Sequence, residues 1–165
     1  MKKYITFFFA CLGFCNLFAS ENNSEAINQA IQLIRKNQAE CVIVKNEKIA
    51  AVERGRGVSP LLHFFEKNPS VMKNAAVVDK VIGRAAAFIV IKSQASHVHA
   101  VLISEDAIEL LKKHNITVSW NKKVPRILNR KRDGLCPLEE SVLNITDPDA
   151  ALVSMKKRIA ELMKK

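Results

Sequence analysis

The sequence has too few cysteines for a disulfide framework or a cysteine-built zinc site. It contains four cysteines in 165 residues, and two of them, Cys11 and Cys15, fall in an N-terminal segment that resembles a targeting signal. The rest of the chain keeps only Cys41 and Cys136. Two cysteines are not enough for a small disulfide-stapled domain or for a zinc site made of cysteines.

Internal repeats, low-complexity stretches and a second domain are also missing. The chain is long enough for one domain with its own hydrophobic core. Its composition, 48% hydrophobic and 25% charged, is that of an ordinary globular protein and not of a disordered one.

Basic residues are in excess, but they are not arranged like a nucleic-acid interface. The formal net charge is +10, which favours anionic partners such as phosphates. The positive side chains are concentrated in residues 126–132 and from Lys156 to the C-terminus, without interleaved aromatic residues. We therefore expect a solvated basic face and no nucleic-acid partner.

The first twenty residues have a different character from the rest. Lys2 and Lys3 precede a phenylalanine-rich apolar run over residues 4–18, and small and then polar residues follow it. This pattern predicts a secretory signal peptide over residues 1–20 or, without cleavage, an N-terminal membrane anchor. Lipoprotein processing at Cys11 or Cys15 is an alternative to signal cleavage, although the residues before these cysteines match such sites poorly. We therefore expect an exported protein, periplasmic or secreted, whose domain spans residues 21–165. Any membrane contact is expected only through the N-terminal segment.

Hydrophobic periodicity in the first half predicts two helices, a hairpin and a central helix. We expect a helix over residues 25–39, a β-hairpin over 41–52, and a helix that Ser59-Pro60 begins. The most apolar stretch, Val77–Ile91, predicts a buried central helix packed on a sheet. Asp79 is expected to cap this helix, with the positive end of its dipole directed at a pocket.

The second half predicts a strand–helix–strand unit and two further helices. A strand over 97–103, a helix over 105–113 capped by Ser104, and a strand over 116–120 favour a right-handed parallel crossover. The remaining predictions are a short strand at 124–128, a helix opened by Cys136-Pro137, and a final helix capped by Asp147. The expected fold class is α/β, a three-layer α/β/α sandwich with a mixed sheet.

Cys136 is the most distinctive candidate for chemistry. It follows the cations Arg130, Lys131 and Arg132 and precedes a predicted helix, and both surroundings favour the thiolate. Glu139, in the first turn of that helix, is a candidate acid–base group. The competing interpretation is a partly buried cysteine without chemistry, next to a carboxylate favoured by the helix dipole.

Asp79 and Lys80 form the second candidate, because a carboxylate beside an ammonium at a helix mouth can position a polar ligand. A helix cap next to an exposed lysine explains the same pair equally well. Arg54 and Arg56 flank glycines just before a helix and could bind phosphate. Their spacing matches no recognised phosphate loop.

Two histidines have a spacing that a metal ion could use. His97 and His99 alternate along a predicted strand and therefore share one face. No third ligand is evident in the sequence, so we expect no metal site and no cofactor.

Four stretches carry a family resemblance: CVIVKNEKIAAVERGRGVSPLL, VVDKVIGRAAA, HAVLISEDAIELLKKHNI and GLCPLEESV. They resemble a bacterial family of unknown function whose members adopt a cytidine-deaminase-like fold. The resemblance implies an α/β/α sandwich, but it does not imply deaminase activity. Zinc deaminases place His or Cys two residues before a Glu and carry a Pro-Cys-x-x-Cys segment. The sequence has neither pattern, so we expect no zinc-activated water.

Three functional hypotheses follow from these residues. The first is a small-molecule binding protein that holds a nucleotide-like ligand at the mouth of the central helix, where Asp79, Lys80 and Cys136 would converge. The second is a cysteine-dependent enzyme with Cys136 as nucleophile, Asp79 or Glu139 as base, and Lys80 stabilising negative charge. The third is a basic interaction protein of the cell envelope.

Overall fold

The computed structural model describes the backbone of residues 15–164 and the side chains of residues 25–164. The predicted signal segment, residues 1–20, lies largely outside the described residues. Within the described range, no helix is both long enough and apolar enough to cross a bilayer. The elements in chain order are α1 Cys15–Arg35, β1 Cys41–Lys45, β2 Lys48–Glu53, α2 Ser59–Lys67, α3 Pro69–Met72, β3 Ala76–Ile82, α4 Arg84–Lys92, β4 His97–Ser104, α5 Glu105–Lys113, β5 Thr117–Val124, α6 Pro137–Val142 and α7 Pro148–Met163.

The strands form one mixed sheet in the order β2-β1-β3-β4-β5. β1 is antiparallel to both of its neighbours, whereas β3, β4 and β5 run parallel to one another. Asn46 and Glu47 join β1 to β2 with positive φ angles, as the favoured two-residue hairpin turn requires. Helices α4 and α5 make the crossovers that parallel neighbours need. The predicted hairpin and the predicted parallel strand–helix–strand unit are both confirmed.

Apolar layers cover both faces of this sheet. On one face, α1 packs Ala30, Ile31 and Ile34 against the strand residues Val42 and Val78. The other face carries the larger core, where α4 is buried between the sheet and the helices α2, α5 and α7; this core includes Ile43, Leu61, Val77, Phe88, Ile89, Leu111 and Met155. The predicted three-layer α/β/α sandwich is therefore confirmed.

Two helices begin at the side-chain caps that the sequence predicts. Ser104 Oγ accepts a hydrogen bond from Ala107 N at 3.2 Å and so begins α5. Asp147 Oδ2 accepts one from Ala150 N at 2.7 Å and so begins α7. A cap of this kind is typically worth about 1 kcal/mol of stability.

The prediction of one central helix over Val77–Ile91 is wrong in its first part. Residues 76–82 form strand β3, and α4 begins only at Arg84, after the extended Gly83. A strand covered on both faces has a continuous apolar sequence, which periodicity does not distinguish from a buried helix. Asp79 therefore lies inside a strand and caps no helix.

Smaller differences concern element ends. The chain at 124–128 is not a strand, because β5 itself continues to Val124 and only a single bridge joins Leu128 to Leu135. Helix α2 has Pro60 in its first turn, but Ser59 makes no capping hydrogen bond. Helix α1 ends at Arg35 and not at residue 39.

Candidate functional site

Asp79 is a buried carboxyl group in the middle of the sheet. It is 6% exposed and lies opposite Cys41, the first residue of β1. Its Oδ1 accepts a hydrogen bond from Val81 N at 2.9 Å. Burial raises the pKa of Asp79 to about 7, although the hydrogen bonds from Val81 and Cys41 favour the carboxylate. Near neutral pH the group therefore exists in both its charged and its neutral form.

Cys41, the neighbour of Asp79, is a protected thiol. Its side chain is fully buried. Burial raises the pKa of the Cys41 thiol well above its usual value, and the charge of Asp79 and a hydrogen bond to its carboxylate add to the effect. Because the thiolate is the nucleophilic form, Cys41 is suited to donating a hydrogen bond and not to covalent chemistry.

Two of the three cations that the sequence predicts to bind a ligand, Lys80 and Arg54, already pair with other groups of the protein. Lys80 Nζ lies 2.9 Å from Glu40 Oε1. Arg54 Nε donates to the carbonyl oxygen of Gln38 at 2.8 Å. Both side chains therefore fasten the segment between α1 and β1, a structural role that needs no ligand. Arg56 is exposed to solvent in the loop before α2.

The carboxylate of Glu139 caps the N-terminus of α4, the central helix. Its Oε2 accepts from Arg84 N at 2.9 Å, and its Oε1 accepts from Ala85 N at 3.0 Å. Gly83 provides the room, because a Cβ atom there would overlap this carboxylate. Burial raises the pKa of Glu139, and the two backbone N–H groups oppose that rise. The positive end of α4 is thus neutralised from within the chain and is not open to a ligand.

Cys136 lies at the start of α6, whereas Asp79 and Lys80 lie in strand β3. The cysteine is half-buried at the N-cap position of α6, and its backbone N–H donates to the Ile127 carbonyl at 3.0 Å. Within residues 25–164, no hydrogen bond joins its side chain to Asp79 or Glu139. Asp79 and Lys80 lie within a strand and not at a helix end, so the predicted site at the mouth of the central helix is wrong in its location.

A concave surface suited to a small ligand lies beside the edge strand β5. Trp120, the single tryptophan of the chain, is 38% exposed there. Together with α5 it forms a groove of about 390 Å³, within the range of about 300–1,000 Å³ typical of small-ligand sites. Lys123 Nζ lies 2.8 Å from Glu105 Oε1 in this groove. The Trp120 groove is lined by Glu105, Ile108, Glu109, Lys112, Trp120 and Lys123.

The lining of the Trp120 groove offers three kinds of contact. The indole can stack on a planar ring. The ammonium groups of Lys112 and Lys123 can bind phosphate as point charges. The carboxylate of Glu109 can accept hydrogen bonds from hydroxyl or amino groups.

A second concavity, of about 440 Å³, lies near the β1–β2 hairpin. It has no aromatic residue, and it adjoins residues 15–24, whose side chains are not described. Its lining is Glu25, Ala26, Gln29, Glu47, Lys48 and Ile49. The Trp120 groove is the better candidate because it alone of the two has a planar apolar surface.

The sequence predictions missed Trp120 and the partners of Glu139. The available signal for Trp120 was a large aromatic side chain within the polar strand sequence Ser119–Lys123. No local signal could have linked Glu139 to Arg84, because the two residues are 55 positions apart.

Two solved structures resemble the chain only weakly. A diaminohydroxyphosphoribosylaminopyrimidine deaminase/5-amino-6-(5-phosphoribosylamino)uracil reductase from Thermotoga maritima has a TM-score of 0.45 at 14% identity, covering 74% of this chain and 41% of that one. NE0047 in complex with 2,6-diaminopurine has a TM-score of 0.42 at 12% identity, covering 90% and 92%. At these TM-scores the likeness carries no inference about activity.

The resemblance to a family of unknown function is confirmed. No curated protein matches the chain. The crystal structure of a DUF1893 family protein (TM1506) from Thermotoga maritima has a TM-score of 0.71 at 23% identity, covering 83% of this chain and 90% of that one. The family model for TM1506, a domain of unknown function (DUF1893), matches residues 29–159. This chain belongs to the DUF1893 family.

Proposed function

We propose that this protein binds a small, nucleotide-like ligand in the Trp120 groove. The observation that carries the proposal is an exposed indole beside two lysines on one concave surface. Stacking of a base on an aromatic side chain is worth about 1–3 kcal/mol. The formal charge of +10 also raises the local concentration of anionic ligands.

The charges of the groove favour a ligand with one phosphate. The lining contains two lysines and two glutamates, so their formal charges cancel. Lys123 is already paired with Glu105 at 2.8 Å, which leaves Lys112 as the main phosphate contact. A nucleoside monophosphate matches this balance better than a triphosphate or a nucleic-acid strand, which would need more cations.

Binding without catalysis agrees with the state of the predicted catalytic groups. Asp79 shares a hydrogen bond with the Cys41 thiol, and Glu139 caps α4 with both oxygens. Neither carboxyl group lines the Trp120 groove. The cysteine-enzyme hypothesis would need one of them as a base for Cys136, and both already have other partners.

Tryptophan fluorescence tests this proposal directly, because all indole emission comes from Trp120. We expect AMP to change the emission in a saturable way. Adenosine should bind more weakly, since it lacks the phosphate. Ribose 5-phosphate should change the emission little, because it has no base to stack on the indole. The absence of a saturable change with any nucleoside monophosphate at millimolar concentration would contradict the proposal.

Calorimetry on variants separates stacking from charge. Trp120→Ala should weaken AMP binding about 5- to 150-fold, the equivalent of about 1–3 kcal/mol. Lys112→Ala should weaken binding of AMP but not of adenosine. Lys122→Ala, on the same strand but outside the groove lining, is the matched control and should bind like the wild type. Equal affinity for AMP in the Trp120→Ala variant would also overturn the proposal.

A further inference from the structure

A hydrogen-bonded His–Ser–Asn cluster lies on the other face of the same two strands. β4 contributes His97 and His99, and β5 contributes Ser119 and Asn121. Val98, which alternates with the two histidines, belongs to the core beneath α4, so the histidines project from the opposite face. The cluster is therefore separate from the Trp120 groove.

Two imidazole nitrogens of this cluster converge on one oxygen atom. His97 Nε2 lies 3.0 Å from Ser119 Oγ, and His99 Nδ1 lies 2.9 Å from the same atom. A metal ion bound by histidine has metal–nitrogen distances of about 2.0–2.1 Å. The two nitrogens therefore face one shared position, that of the Ser119 hydroxyl, and the two rings would have to move closer to it to bind one ion.

The second ring nitrogen of His99, the one that does not face Ser119, has the hydrogen-bond partner expected of a metal-binding histidine. Its Nε2 lies 3.3 Å from Asn121 Oδ1. An amide oxygen can only accept, so Nε2 carries the proton and Nδ1 accepts from the Ser119 hydroxyl. The hydroxyl has one proton, so His97 Nε2 donates to Ser119 Oγ, and His97 must move that proton to its Nδ1 before Nε2 can bind a metal ion. Outer hydrogen bonds of this kind fix the tautomer and the ring orientation of metal-ligating histidines.

We propose that His97 and His99 form a two-imidazole site for a divalent transition-metal ion, with Cu(II) bound most tightly. Among the described residues no group of three His, Cys, Asp or Glu side chains is placed to hold a metal, so water or the Ser119 hydroxyl completes the coordination. Tetragonal Cu(II) suits mixed nitrogen and oxygen ligands, and its affinity exceeds that of Ni(II) and Zn(II). The positive charge of Arg35 acts on His99 and therefore opposes the binding of a cation.

The test is Cu(II) titration of the purified chain, followed by calorimetry and electron paramagnetic resonance. A background in which Cys11, Cys15 and Cys136 are changed to Ser keeps only the buried Cys41, because other thiols would reduce or bind copper. We expect one Cu(II) per chain with nitrogen splitting from two imidazoles. Bound Cu(II) should also quench Trp120, because Ser119 and Asn121 are its direct neighbours in sequence.

Variants decide whether these two histidines are the ligands. His97→Gln and His99→Gln should each weaken Cu(II) binding by at least about tenfold. That is the loss typical of removing a residue that only hydrogen-bonds a metal ligand, and removing a ligand should cost no less. His114→Gln, at the end of α5, is the matched control and should bind like the parent. Arg35→Gln should bind more tightly. Since His99 is buried and its variant could fold poorly, the half-buried His97 provides the second test. Unchanged affinity in His97→Gln, or a spectrum with fewer than two imidazoles in the parent, would overturn the proposal.

Discussion

At the scale of single residues, the two cysteines of the folded domain differ in accessibility. Cys41 is fully buried beside Asp79, whereas Cys136 is half-buried at the start of α6. Iodoacetamide should therefore modify Cys136 well before Cys41 in the folded, reduced protein, because burial and a raised pKa both suppress the Cys41 thiolate. Mass spectrometry of peptides sampled over time gives the two rates.

Unfolding provides the control for this labelling experiment. In concentrated urea both thiols are exposed, and the two rates should become similar. Equal rates in the folded protein would contradict the described burial of Cys41.

The sequence indicated which carboxyl groups could be functional more readily than it indicated which residues contact them. Asp79 is conspicuous in the sequence because it stands beside Lys80, and Glu139 because it follows Cys136 in the first turn of a predicted helix. Their partners come from distant segments, Cys41 for one and the start of α4 for the other. Such pairs depend on sheet register and helix packing, which local patterns do not contain. The predicted position of Asp79 at a helix mouth was wrong for this reason, because the residue lies within β3.

At the scale of elements, hydrogen bonds join the start of α4 to α6 and the end of α6 to α4. Glu139 of α6 accepts hydrogen bonds from the first N–H groups of α4. In return, Arg84 of α4 donates to the carbonyl oxygens of Val142 and Ile145 at 3.1 and 2.6 Å, at the end of α6 and just after it. Unpaired backbone groups at helix ends are costly when buried, so this exchange stabilises two helix ends at once.

Glu139→Gln tests the contribution of this exchange. The amide offers one acceptor oxygen for two N–H groups, so one donor of α4 loses its partner. We expect the free energy of unfolding to fall by about 1–3 kcal/mol, measured by urea denaturation. Glu140→Gln, the exposed neighbour, is the matched control and should change stability by less than about 0.5 kcal/mol. Equal midpoints for the two variants would show that the cap contributes nothing.

The same region shows why element boundaries were only partly predictable. The hairpin, α5 and α7 carry local signals: a tight turn, the Ser104 cap and the Asp147 cap. The stretch VVDKVIGRAAAFIVI carries none except Gly83. Its first half is buried on both faces of a sheet and its second half is a buried helix, so both halves are apolar. Only the tertiary position of each half decides between strand and helix.

At the scale of the whole molecule, the buried carboxyl of Asp79 makes stability depend on pH. Its pKa is about 7 in the folded protein, compared with about 3.9 for an unperturbed aspartate. Between these values the folded state binds more protons than the unfolded state. The free energy of unfolding contributed by this group therefore falls as pH rises from about 4 to about 7. The destabilisation is complete once the pH exceeds the folded pKa.

Asp79→Asn removes this titration and provides the measurement. The asparagine oxygen can still accept the hydrogen bond from Val81, and the side chain carries no charge at any pH. The difference in unfolding free energy, variant minus wild type, should rise by on the order of 4 kcal/mol between pH 4 and pH 8. Urea denaturation of both proteins at several pH values gives this difference and cancels the contributions of Glu139 and the histidines. Asp133→Asn, at an exposed position, is the control and should give a nearly constant difference. A constant difference for Asp79→Asn as well would mean that the carboxyl group keeps its charge at little cost inside the sheet.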